Sequence, residues 1–530
     1  MQPVIYSPDG AKVLTTLDEL RAFLDAQSEP PVPETHALSI GTNPSPIADY
    51  MPNVFCDAMK HARPWESYTV TGSKDPRPLA LDANGWPMKL EEGQAARTAM
   101  FIGQDGNYRG GEYWIAAAQG TGKVRIKNGS STSIRTLHNG LLVEGSVYAA
   151  IDPDLGGVLL DIMETDPENP LRNIKIVHEA DLHNTSTFTD EFLDSLSAYH
   201  GPLRFMDWQR INSSEEVEWS DRPKVTDCNY TRGVPLEIII EPANITGKDL
   251  WICVPHLATD DYVANMVQML AQDVEHGQNV YIEYSNETWN SIFKQATYVQ
   301  DQGVAQGLST SRFDAGRFFH AWRTQEVARI ARRVWADNGG SGEIRPVLCG
   351  QAPSASWTDR MMVEMNLGGE NCPYAIGIAP YFGGRIGTRG YAQSLAGVSL
   401  ETALDSLFAK IINEDMPDII TWLNAQSEVA RKWGLPLVAY EGGQHLVGIY
   451  SAMNNADLNA LFDAAQHDPR MKDCYNMLFK AWRDAGGGIF CHYAHCSPMR
   501  QHGRWGAIEY YGQADTPKLV AIKEIQGTEK

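Results

Sequence analysis

The sequence predicts an α/β protein: a closed (β/α)8 TIM barrel with an all-β sandwich inserted after its first strand. Three observations predict it. Short apolar runs recur along the chain and alternate with longer segments of helical periodicity, the pattern of a parallel sheet covered on both faces. Eight such runs are present, the number that a closed parallel barrel requires. Between the first run and the second the texture changes to short alternating runs separated by Gly- and Asp-rich turns, as in an antiparallel sandwich.

The barrel strands are expected at Ala37–Asn43, Pro202–Trp208, Leu250–Pro255, Val280–Ser285, Arg345–Cys349, Ala375–Ala379, Leu435–Tyr440 and Gly488–Tyr493. Helical patterns fall between most of them, at Tyr262–His276, Phe313–Asn338, Leu400–Trp433 and Ala456–Ala485, and Val54–Arg63 starts the helix or loop after the first strand. Strands of the insert are expected at Thr98–Ile102, Gly111–Ala117, Lys123–Ile126, Gly140–Val143 and Val158–Ile162. Ahead of the barrel, Leu17–Ala26 predicts a short amphipathic helix, followed by a Pro-rich tether at Glu29–Pro33. The domain reading is therefore a leading segment and linker at 1–35, a barrel at 36–78 and 180–530, and a sandwich at 79–179.

Composition bounds the function. The 530 residues exceed one typical domain, and 43% hydrophobic with 21% charged residues supports a large core rather than global disorder. A formal net charge of −22 repels phosphate backbones, so nucleic acid is excluded as the expected partner. The eight cysteines are scattered without a CxxC pair, which indicates no disulfide framework. No apolar stretch of about 18 residues is present, so no membrane span is expected. The start of the chain lacks a basic segment followed by a long apolar run, so the expected location is cytoplasmic, virion-associated, or secreted with a signal removed. The sequence sets no oligomeric state.

Active sites of such barrels lie at the C-terminal ends of the strands. The polar residues there are Asn43; Asp207, Trp208, Arg210 and Asn212; His256; Asn286 and Glu287; Gln351; Tyr381; Glu441; and His492, Tyr493 and His495. The set is rich in carboxylates, amides and aromatics, and it contains no nucleophile elbow, phosphate loop or zinc-helix motif. Cleavage of a glycosidic bond with retention needs one carboxylic acid to protonate the leaving oxygen and a second carboxylate roughly 5–5.5 Å away to attack the anomeric carbon. Glutamates at the ends of strands four and seven, across the barrel mouth from each other, suit that requirement.

The run Glu283-Tyr284-Ser285-Asn286-Glu287-Thr288-Trp289-Asn290 carries the sharpest signal. An Asn-Glu pair ending strand four, with a Glu ending strand seven, resembles clan A of the glycoside hydrolases, and the longer string looks like a cellulase-like branch of that clan. The resemblance spans about 200 to 510 and includes Arg204–Trp208 and Gly503-Arg504-Trp505-Gly506. It implies a retaining glycoside hydrolase without cofactor or metal, acting on a poly- or oligosaccharide. Glu287 would be the acid/base, Glu441 the nucleophile, Asn286 a ligand of the sugar 2-hydroxyl, and Tyr381 the tyrosine that orients the nucleophile. His256 and either Arg204 or Arg210 would be ligands of the subsite or of the nucleophile. The clan often places a Trp after strand eight, where this chain has His492-Tyr493, with Trp505 further on.

Other readings stand beside these. Glu287 could cap the helix that follows, and Glu441 could be a solvated loop acid, although the flanking Gly442-Gly443 would let backbone approach a ligand. Glu283 reads as a buried, paired acid, and Trp86 as a structural turn aromatic. His492 and His495, flanked by Cys491 and Cys496, fit no standard zinc spacing. The alternatives to an acid/base glycosidase are a non-catalytic glycan-binding barrel and a metal-dependent hydrolase using His492 and His495.

Overall fold

The computed structural model describes residues 5–6, 13–14, 38–140, 147–369 and 372–527. Two compact units are distinguished, 1–38 and 39–530. In the first, Ile5–Tyr6 pairs antiparallel with Val13–Leu14. The expected helix at 17–26 and the tether at 29–33 lie outside the described residues.

The second unit holds a closed barrel of eight parallel strands. In chain order they are β1 (Ile40–Asn43), β2 (Leu203–Arg204), β3 (Leu250–Val254), β4 (Val280–Tyr284), β5 (Ile344–Cys349), β6 (Ala375–Ile378), β7 (Leu437–Ala439) and β8 (Phe490–Tyr493). Each pairs with the next, and β8 closes on β1 through Phe490 opposite Ile40. Alternate residues divide the strands between two environments. Leu250, Ile252, Val254, Val280, Ile282 and Tyr284 join the core beneath the surrounding helices, whereas Trp251, Tyr281, Val347, Cys349, Ala375, Val438, Tyr440 and Cys491 form a second cluster drawn from β3 to β8, the filling of the lumen. Both faces of each strand are thus covered, which is why the strands read as continuous apolar runs.

The helices follow their capping chemistry. Thr259 accepts from the Tyr262 N–H at the start of Asp260–Asp273, and Ser311 accepts from the Asp314 N–H at the start of the 26-residue helix Arg312–Asp337. Two expected long helices are interrupted. The stretch 400–433 runs as Leu400–Lys410, one π-helical turn at Ile411–Asp415, and Met416–Trp433. The stretch 456–485 divides into Ala456–His467 and Arg470–Asp484, because Pro469 has no N–H to continue the ladder.

Between β1 and β2 the described residues form two larger antiparallel sheets, beside a two-stranded one that pairs Ala80–Leu81 with Pro87–Lys89. One has five strands in the order Ser131–Leu137, Gly122–Asn128, Val158–Thr165, Gln94–Met100 and Glu66–Thr69; the other has three, Val147–Ile151, Gly111–Gln119 and Arg172–His178. Side chains of both sheets, such as Met100, Ile126, Leu160, Ile115, Ile151 and Ile174, share one buried apolar cluster that also takes in Trp86. The strand Glu66–Thr69 lies ahead of the boundary expected at 79, since it pairs with Gln94–Met100.

Just past β2, Trp208 does not face the barrel mouth. It is 1% exposed, packs among Phe55, Phe188, Phe192 and Phe205, and donates its indole N–H to the Ser45 carbonyl at 2.9 Å. Its expected role as a substrate ligand is therefore replaced by a packing role that ties the β1 loop to the core. Trp208→Ala is expected to cost about 3–5 kcal/mol through the cavity it leaves. A thermal midpoint equal to that of the unaltered protein would contradict this placement.

Candidate active site

The site is built on a buried arginine. Arg204, the last residue of β2, is fully buried, and each of its five N–H donors has an acceptor. Nε donates to Glu283 Oε2 (3.0 Å), and Nη2 donates to Glu283 Oε1 (3.2 Å) and Asn286 Oδ1 (2.9 Å). Nη1 donates to Asn43 Oδ1 (2.9 Å) and Glu441 Oε1 (2.8 Å). One guanidinium therefore ties together the ends of β1, β2, β4 and β7. Glu283, inside β4, also accepts from the Trp251 indole at 2.9 Å, so its carboxylate is fully engaged within the lumen.

Glu441, two residues beyond β7, keeps only 8% of its side chain exposed. Its second oxygen accepts from the Tyr381 hydroxyl at 2.9 Å. That contact is set by backbone: Tyr381–Phe382 and Gly443–Gln444 form a small parallel ladder that staples the loop after β6 to the loop after β7. The two glycines serve packing rather than ligand approach. A Cβ on Gly442 would lie 2.4 Å from the Phe490 ring, and Gly443, at φ +135°, would place one 2.7 Å from the Tyr475 hydroxyl.

Beyond β4 the backbone enters the left-handed region at Ser285 (φ 61°) and again at Glu287 (φ 40°). Non-glycine residues adopt that conformation at a cost, and such positions cluster at functional sites. The turn holds Asn286 between Arg204 and Asn212 Oδ1, to which its Nδ2 donates at 3.0 Å, and leaves Glu287 partly exposed at the mouth. No helix cap is involved, because the next helix begins at Lys294 behind Phe293. Burial, reinforced by the negative charge of Glu441, raises Glu287 from its ordinary value of 4.5 to about 7, against the hydrogen bond it accepts from Asn290 Nδ2 at 2.9 Å. The two carboxyl groups are thus in different states of support: Glu441 has two strong donors, and Glu287 has one neutral amide and a like-charged neighbour.

Asp207 and the aromatics complete the mouth. Asp207 accepts from the Tyr493 hydroxyl at 2.9 Å, and burial with the nearby Glu441 charge lifts it to about 6. Trp505 meets Tyr381, Tyr493 and His445 edge-on, with ring centroids 6.1, 5.8 and 4.9 Å away. It remains partly exposed beside the tyrosine that holds Glu441.

Several expected ligands lie elsewhere. Arg210 is exposed and donates to the Thr231 carbonyl. His256 is buried against Tyr298, which lowers it to about 4, and it bonds no member of the Arg204 network. His492 is fully buried and shares a 3.0 Å hydrogen bond with the Tyr475 hydroxyl, which also accepts from the Gln444 N–H; it braces the β7 loop from behind. His495 pairs with the Ser195 hydroxyl at 3.0 Å, and all eight cysteines are free. Among the described residues no group of three or more His, Cys, Asp or Glu side chains is placed to hold a metal ion, and no helix is long and apolar enough to cross a membrane. Two contributors carry no sequence signal of their own: Gln295, which bridges Asn212 and the Asn286 carbonyl, and His445, which stands against Tyr381 and Trp505.

No family model and no curated protein sequence matches the chain. Solved structures do align with it. Thermotoga maritima Cel5A, in complex with mannotriose, is 10% identical at a TM-score of 0.34, covering 66% of this chain and 92% of its own. A GH5-4 broad-specificity endoglucanase from Bacteroides salanitronis is 14% identical at 0.37, covering 64% and 85%. A GH10 protein from Paenibacillus barcinonensis is 10% identical at 0.34, covering 64% and 91%. Likenesses of this size carry no chemistry over to the chain, whose barrel is established by its own strand pairing.

Two outcomes check the site. Glu283→Ala strips Arg204 of its main partner and is expected to cost about 3–5 kcal/mol, as removal of one member of a buried ion pair does; unchanged denaturant stability would mean that the guanidinium does not depend on it. Glu287 is raised in the fold, so its contribution to stability is complete below 4.5 and is lost as pH rises through about 7. The thermal midpoint of Glu287→Gln, relative to the unaltered protein, should therefore rise between about pH 5 and about pH 8. A difference that stays flat would show an ordinary carboxyl.

Proposed function

We propose that the chain is a retaining glycoside hydrolase that cleaves a poly- or oligosaccharide by double displacement. The observation that carries this is the unequal pair of glutamates at one barrel mouth. One is held by Arg204 and Tyr381, and the other is raised to about 7 and partly exposed.

In the first step Glu287 transfers its proton to the glycosidic oxygen while Glu441 attacks the anomeric carbon. The C–O bond breaks, the alcohol leaves, and a glycosyl ester forms on Glu441. In the second step water attacks the anomeric carbon, Glu287 takes its proton, and Glu441 departs as carboxylate. Arg204 and Tyr381 orient the attacking oxygens. Asn286 has one amide hydrogen committed to Asn212, which leaves the other for the sugar 2-hydroxyl. Trp505 and Tyr493 supply apolar ring surface for a sugar face, and the sheets between β1 and β2 are an accessory domain that walls the cleft.

Anomeric NMR of products from a polysaccharide panel tests the reading, with retention expected. Inversion, or no cleavage of any polymer, would refute it. Glu287→Gln is expected to lower kcat about 10²–10⁴-fold on unactivated substrates and to abolish the alkaline limb near the carboxyl's raised value. Glu441→Gln should abolish turnover while leaving glycan binding intact. Tyr381→Phe should lower kcat more than it changes KM.

A further inference from the structure

Beside the catalytic centre lies an open cavity of about 630 Å³ that the two-glutamate chemistry does not use. Tyr493 and Trp505 form the wall it shares with the centre. Its other walls come from Tyr50 and Met51, after β1, and from Ile102 and Gly103, after the strand Gln94–Met100, so the inserted sheets close one side of it. Arg500 spans that junction. It donates through Nη2 to the Gly103 carbonyl, and its backbone exchanges two hydrogen bonds with Gly503, at 3.0 and 2.9 Å.

The charge of this cavity runs against that of the chain. The protein has 66 acidic and 44 basic residues, yet no Asp or Glu lines the cavity, whereas Arg63, Arg500 and His502 do. Arg63 reaches Asp49 through Nη2 at 2.7 Å, and 46% of its side chain stays exposed. Arg500 is exposed, and among the described residues it has no carboxylate partner within ion-pair distance. A guanidinium committed through one nitrogen and open at the others offers the fork of donors that matches a carboxylate or a sulfate, and here it stands in a groove walled by aromatic rings.

We propose that this cavity is a subsite for an anionic sugar, a uronate or a sulfated unit, adjoining the unit bound at Glu287 and Glu441, so that the substrate is an acidic polysaccharide. The inference takes its reaction from the proposed function but stands on its own as a binding site.

Affinity electrophoresis of the Glu287→Gln protein tests it with turnover strongly suppressed. The gels contain glucuronoxylan, alginate or carrageenan, each beside its carboxyl-reduced or desulfated counterpart. Retention by an acidic polymer should exceed that by its neutralised form by about tenfold or more, weaken with salt, and fall by a similar factor in the Glu287→Gln, Arg500→Gln double variant. The carboxyl and sulfate arms tell the two anions apart. Equal retention by native and neutralised polymers, or no retention by any acidic one, overturns the subsite. Should the double variant fail to fold, the native-against-neutralised comparison decides alone. An acidic polymer that is bound by Glu287→Gln but left intact by the unaltered protein would uphold the subsite and refute the hydrolase. Cleavage of neutral polymers with no acidic preference would do the reverse.

Discussion

A guanidinium taken wholly out of water is stable only if every donor finds an acceptor and its charge is matched. Arg204 meets both conditions by drawing Glu283 and Glu441 from opposite sides of the barrel, with Asn43 and Asn286 between them. The rest of the site depends on that satisfaction. Because the fork is planar and rigid, it sets where the ends of β1, β4 and β7 stand relative to β2, and it places one oxygen of Glu441 in a defined direction. The lumen below it, filled by Trp251, Tyr281 and Tyr440, excludes the water that would otherwise compete for those bonds.

The difference between the two mouth glutamates follows from what the Arg204 network reaches and what it does not. Glu441 stands within it and receives a further donor from Tyr381, which the short ladder between the β6 and β7 loops holds in place. Glu287 sits one residue beyond the last member, Asn286, on a strained turn that lifts it away from the arginine. Burial then acts on it with little compensation, and the neighbouring negative charge acts in the same direction. Glu287 is thus raised by its burial and its charged neighbour, and the donors that hold Glu441 do not reach it.

Around this centre the structure spends its polar groups on bracing. His492 and Tyr475 support the β7 loop from behind, Gln295 and Asn212 support Asn286, and the Asp415 carboxylate, in the π-helical turn, accepts from the Gly383 N–H and so anchors the segment that follows Tyr381. These groups touch the loops and not the mouth. The insert contributes differently, because its Ile102-Gly103 turn meets the β8 loop through Arg500 and gives the cleft a second, basic end.

The eight strands were legible because a strand covered on both faces has to be apolar at nearly every position, and the carboxylates after β4 and β7 were legible because strand ends in such a barrel open on one mouth. Both breaks in the expected long helices were missed: Pro469 marks the one within 456–485, whereas the π-helical turn at 411–415 has no local mark. Which strand-end residues serve the site was not legible. Trp208, Arg210, His256 and His492 occupy positions that look equivalent to those of Asp207, Asn286 and Tyr493 in one dimension, yet the first is core, the second faces water, and the two histidines are buried. Sequence alone determined the periodicity, and hence the barrel and the chemical inventory at its mouth. Only the tertiary structure decided the partners, because one step along a strand or one left-handed residue in a loop turns a side chain from lumen to core, and because Arg204 chooses its acceptors among residues up to 237 positions away.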